Sequence, residues 1–145
     1  MNAKRRVGMT SKIEEMRYQV FVAHEFSADM IDDLRNTIDS ALKGSGLTCY
    51  YADHKLLPGK QVFLDKILPV IHHSAFGIYD ISNPAKTNVY LELGAGLARR
   101  KTCVITCKQG TPVPSDLQGL DRIQYSSFKN LSIQLRAKTR DLWPE

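Results

Sequence analysis

The chain has 145 residues, 43% of them hydrophobic and 24% charged, which suits one soluble globular domain with room for a real core. No apolar run approaches the roughly 20 residues of a transmembrane helix. The basic start "MNAKRRVGMTSKIEEMR" has no apolar stretch of signal-peptide length behind it, which points to the cytoplasm rather than to secretion. The net charge of +5 comes without aromatic–basic interleaving or a reading motif, which argues against nucleic acid and suits a small anionic ligand such as a nucleotide.

Residues 1–17 read as a basic, flexible segment, and residues 18–145 as the domain. "YQVFVAH" is a strand ending near His24. Ser27 is positioned to cap a helix whose apolar stripe is Met30, Ile31, Leu34, Ile38, Ala41 and Leu42. "KGSG" stops that helix, with Gly44 or Gly46 supplying a left-handed terminus. "LTCYY" is a second strand, and "ADHKLLPGK" a loop turning at Pro58-Gly59.

Val62, Phe63, Ile67, Leu68 (or Val70) and Ile71 outline a second helix, with Pro69 expected to bend or tighten its last turn. "AFGIYDI" is apolar enough for a central strand covered on both faces. After the loop "SNPAKT" comes "NVYLELGAGLA", apolar throughout except for Glu92. "TCVITC" and "DRIQYS" are the fourth and fifth strands, with "KQGTPVPSDLQGL" between them as loop and one helical turn. A last helix runs from about Phe128 to Trp143 on Leu131, Leu135 and Leu142.

Strands alternating with helices imply an α/β, flavodoxin-like, doubly wound domain: five parallel strands with helices on both faces. In such sheets ligands sit outside the carboxyl ends of the strands, at the switch in strand order. That rule selects the loops His24 to Ser27, Ala52 to Lys60 and Asp80 to Asn88. Glu92 follows the third loop and is expected in the first turn of its helix, near a positive helix end, pointing into the cleft. A lone acid in an apolar helix is paired, at a cleft edge or chemically active.

Asp80 is suited either to bonding ribose hydroxyls or to ordering the next loop. Asn83 and Asn88 fit turn and N-cap roles better than ligand contacts. His24 is available for a ring or a phosphate, and Phe26 for stacking or for the core. Asp53 and Lys60 are weaker adenosine-side candidates, and Tyr90 reads as packing. The chain's three cysteines form no CxxC pair, as expected of reduced thiols. His72 and His73 lack any cysteine at metal-ligand spacing, so no metal is expected.

"YDISNPAKTNVYLELGAGLARRK" resembles the central segment of TIR-like proteins related to nucleoside 2-deoxyribosyltransferases, and "VFVAHEFSAD" is similar to the first strand and loop of TIR domains. The resemblance spans roughly Tyr18 to Trp143. It implies a cleft for NAD or a related nucleotide, taken as substrate with no separate cofactor, whose N-glycosidic bond is broken. Glu92 corresponds to the glutamate that TIR enzymes require for releasing nicotinamide, and that deoxyribosyltransferases use as nucleophile. Asp80 matches the acid ending the third strand, and His24 and Phe26 lie in the loop facing the base or nicotinamide. The resemblance further implies a defence or immune role and self-assembly through TIR–TIR contacts.

The chain departs from the pattern in two places: "PAK" lengthens the loop after Asn83, and Gly96 stands where many relatives carry Ala. "SNPAKT" lacks the acid-rich base-holding signature of the deoxyribosyltransferases, which favours the NAD-cleaving branch over a nucleoside transferase or hydrolase. A non-catalytic nucleotide-binding or interaction module, with Glu92 structural, is the third reading.

Overall fold

The computed structural model describes residues 12–25, 28–52, 59, 61–83 and 87–144. Within the segment expected to be flexible, residues 12–16 are helical, and a turn at residues 17–18 leads into the first strand. Five parallel strands form one sheet in the order β2-β1-β3-β4-β5. They are β1 (Gln19–Ala23), β2 (Thr48–Tyr51), β3 (Phe76–Asp80), β4 (Cys103–Lys108) and β5 (Arg122–Tyr125). After β1 the α-helices are α1 (Ala28–Leu42), α2 (Leu68–His73), α3 (Asn88–Ala98) and α4 (Phe128–Leu142). The doubly wound flavodoxin-like architecture read from the sequence is the one observed.

Strand periodicity divides the core in two. Val20, Val22, Phe76, Ile78 and Val104 face α1 and α4, where Leu34, Ile38, Leu42, Leu131 and Leu135 cover them. Phe21, Ala23, Tyr79, Ile105 and Cys107 face the other way, under Ile67, Val70, Ile71, Val89 and Leu93. Every residue of β3 is buried, because β3 is central and both its faces are covered. Between β4 and β5 the long connection makes a single 3₁₀ turn at Ser115–Leu117.

Gly44 and Gly46, with φ of +88° and +82°, both take the left-handed conformation that ends α1, as their glycines allow. Pro69 acts differently from expectation. Val62–Ile67 is π-helical and runs straight into α2, with the Leu68 N–H donating to the Phe63 carbonyl. Pro69 has no N–H to give the Asp65 carbonyl and its ring crowds it, so the wider turn lies before the proline rather than at the helix end.

Candidate functional site

The strand order reverses between β1 and β3, so the switch point lies at their carboxyl ends, where the chain leaves His24 and Asp80. The loops after these strands are tied together there: the Asn83 side-chain amide donates to the Glu25 carbonyl at 3.2 Å. Asn83 therefore acts as a cross-loop tie. Phe26, Asp53 and Lys60 lie outside the described residues, as does Ser27.

Asp80 is 3% exposed and on the α1/α4 side, in phase with Phe76 and Ile78. Its Oδ2 accepts from the Thr106 hydroxyl at 2.7 Å and from the Tyr125 hydroxyl at 2.8 Å. Its Oδ1 accepts from the Ser82 N–H at 3.0 Å. The Ser82 hydroxyl in turn lies 3.1 Å from that of Tyr125 and accepts from the Lys108 N–H at 2.9 Å. Burial, and then the Asp80 charge, push the Tyr125 phenol well above its ordinary range. Of the two roles the sequence left open for Asp80, this geometry shows the second: it orders the loop and ties β3 to β4 and β5.

His24 shares the Asp80 side of the sheet. Its Nε2 accepts from the Arg35 Nε at 3.4 Å, and its ring meets Tyr51 edge-on with centroids 6.0 Å apart. The Arg35 guanidinium lies 4.7 Å above the Tyr51 ring, and the Tyr51 hydroxyl sits 2.7 Å from Asp39 Oδ1. This network joins the end of β1 to α1 and β2.

Glu92 occupies the other side. It lies in the second turn of α3, one residue beyond the first turn in which it was expected, because the helix starts at Asn88. Thr87 holds the N-cap position without a side-chain cap bond, so Asn88 is the first helical residue, and exposed, rather than the cap. Val89, Glu92, Leu93 and Gly96 are the buried residues of α3. Their spacing forms one helical stripe, laid on the sheet. Glu92 is 1% exposed, on the buried stripe of α3. Tyr90 packs against the same apolar layer, as the sequence suggested.

The candidate residues thus fall into two groups on opposite faces of one sheet. His24, Asp80 and Asn83 gather at the α1/α4 side and the switch-point loops, while Glu92 stands under α3. Sequence reasoning missed Ser82, Thr106 and Tyr125, which complete the Asp80 network, and Arg35, which holds His24. Strand parity offered a signal for the sides: Asp80 is in phase with Phe76 and Ile78, and out of phase with Tyr79. Among the described residues no group of His, Cys, Asp and Glu is arranged to hold a metal ion. No helix among them is long and apolar enough to cross a membrane. In comparison with known proteins, the chain matches no protein-family model and no curated protein.

Proposed function

We propose that the protein is a TIR-like NAD nucleosidase that breaks the nicotinamide N-glycosidic bond, with Glu92 as its catalytic carboxylate. The observation that carries the reading is a carboxylate 1% exposed on the helix that follows the central strand of a doubly wound sheet. Glycosidic cleavage builds positive charge on the ribose as an oxocarbenium-like cation. A fixed carboxylate beside C1′ stabilises that cation or traps it covalently, and in an enclosed, low-dielectric site it acts strongly. Nicotinamide leaves as a neutral group, so no strong general acid is required.

Enclosure also sets a condition. Substrate reaches Glu92 only once α3 or its neighbours yield, which fits an enzyme switched on by assembly of copies of the chain. In this reading the protein acts in cytoplasmic defence or immune signalling, by depleting NAD or by making a nucleotide messenger. Asn83, as a tie between the switch-point loops, and His24, held by Arg35, shape the entrance rather than perform the chemistry.

The same low exposure favours a second reading, a non-catalytic nucleotide-binding or interaction module in which Glu92 is structural. Nicotinamide release from NAD at high protein concentration separates the two. Turnover that disappears in Glu92→Gln supports the nucleosidase, whereas nucleotide binding without turnover supports the module. Base exchange on a deoxynucleoside in place of NAD cleavage would instead indicate a deoxyribosyltransferase.

A further inference from the structure

Tyr79 points from β3 to the Glu92 side of the sheet, 1% exposed. Its ring folds back over Gly77, where an added Cβ would stand 2.5 Å from Cε2 and 2.7 Å from the hydroxyl. The hydroxyl end reaches α3 at Gly96, where an added Cβ would stand 2.7 Å from the phenol oxygen and 2.9 Å from the Cys103 Sγ. Real Cβ atoms do not approach so closely. Both glycines are therefore space-makers for this one side chain, and Gly96 in place of the commoner Ala has a physical reason. Gly96 lies one helical turn after Glu92 on the same buried stripe.

We propose that Tyr79 is a positioning residue for Glu92: threaded between Gly77 and Gly96, it sets the height of α3 on the sheet and hence where the Glu92 carboxylate lies. The inference rests on the nucleosidase reading for its catalytic meaning, and on geometry alone for the positioning itself. Around Tyr79 stand the Phe21 ring of β1, with centroids 5.8 Å away, the Cys103 thiol of β4 and Glu92 of α3. Burial above all, then Cys103 and the Glu92 charge, raise the Tyr79 phenol far above its ordinary range. It is thus a neutral spacer within electrostatic reach of the carboxylate.

The test is a rescue experiment on the full chain, with two readouts. The first is the ¹³C carboxyl resonance of Glu92, assigned through Glu92→Gln; the second is kcat and KM for nicotinamide release from NAD. Gly96→Ala, which drives a methyl into the phenol oxygen, is expected to move the resonance. It should lower kcat on the order of 10²-fold with KM nearly unchanged, the scale of a misplacement of about 1 Å. Adding Tyr79→Phe together with Cys103→Ala removes both obstructing atoms, the phenol oxygen and the thiol sulfur, and should bring both readouts back towards wild type.

An unmoved Glu92 resonance in a folded Gly96→Ala protein overturns the proposal. So does a triple variant (Gly96→Ala, Tyr79→Phe, Cys103→Ala) that regains thermal stability while resonance and kcat remain displaced. Should Gly96→Ala not fold, Tyr79→Leu decides, since loss of the ring that sets the height of α3 must move the Glu92 resonance. A wild type silent towards NAD defeats the nucleosidase reading only, because the resonance still reports whether Tyr79 places Glu92.

Discussion

The two faces of the sheet hold two buried carboxylates in different settings. Asp80, at the end of β3, meets three protein donors on the α1/α4 side. Glu92 lies against the other face, on a helical stripe it shares with Val89, Leu93 and Gly96. Neighbouring residues of one strand serve the two settings: Asp80 anchors the hydrogen-bond network, and Tyr79 reaches under the helix that carries Glu92. An acid surrounded by hydrogen-bond donors is a structural fastener. A buried acid that takes no part in that network is a candidate for chemistry.

The sharpest way to break this comparison is Asp80→Ala. It strands the Thr106 and Tyr125 hydroxyls and the Ser82 N–H, and should destabilise the fold by about 3 kcal/mol, readable as a lower denaturant midpoint. Tyr125→Phe removes one charge-assisted bond and should cost about 1.5–2 kcal/mol in the same assay. On the other face, Glu92→Gln keeps the shape of the side chain and an acceptor oxygen, and is expected to unfold close to wild type. A loss matching that of Asp80→Ala would make Glu92 a second fastener.

Smaller effects lie outside both networks. Ser127 caps α4 by accepting from the Asn130 N–H at 3.1 Å, so Ser127→Ala should cost about 1 kcal/mol. Arg100 ends α3 at φ 57°, and Arg100→Gly should gain about 0.5–1 kcal/mol by relieving left-handed strain. Burial, its largest cause, pushes the Cys49 thiol from 9.0 up to about 12. Because the folded state holds this proton more tightly, its contribution is complete below pH 9 and lost as pH rises towards 12. Cys49→Ser should flatten that part of the alkaline unfolding curve.

The architecture was legible because its signals are local. Strands such as "AFGIYDI" are apolar without interruption, α1 carries its stripe at helical spacing, and Gly44 and Gly46 punctuate its end. The π-helical turn was hidden, since it depends on which carbonyl Pro69 leaves without a donor. The site was half legible. Glu92 announces itself as the lone acid of an apolar helix, but its placement in the second turn depends on where α3 begins. Two of the three partners of Asp80, the Thr106 and Tyr125 hydroxyls, lie 26 and 45 residues away on other strands, and no local pattern points to them. Tyr79 reads as an ordinary core aromatic until the two glycines around it are seen together.

Nicotinamide release from NAD, measured at high protein concentration for wild type beside Glu92→Gln, tests the central claim most directly. The account predicts turnover by wild type and a loss on the order of 10²–10³-fold in a variant that melts close to wild type. Equal turnover by both proteins, or none by a wild type that still binds the nucleotide, would contradict it.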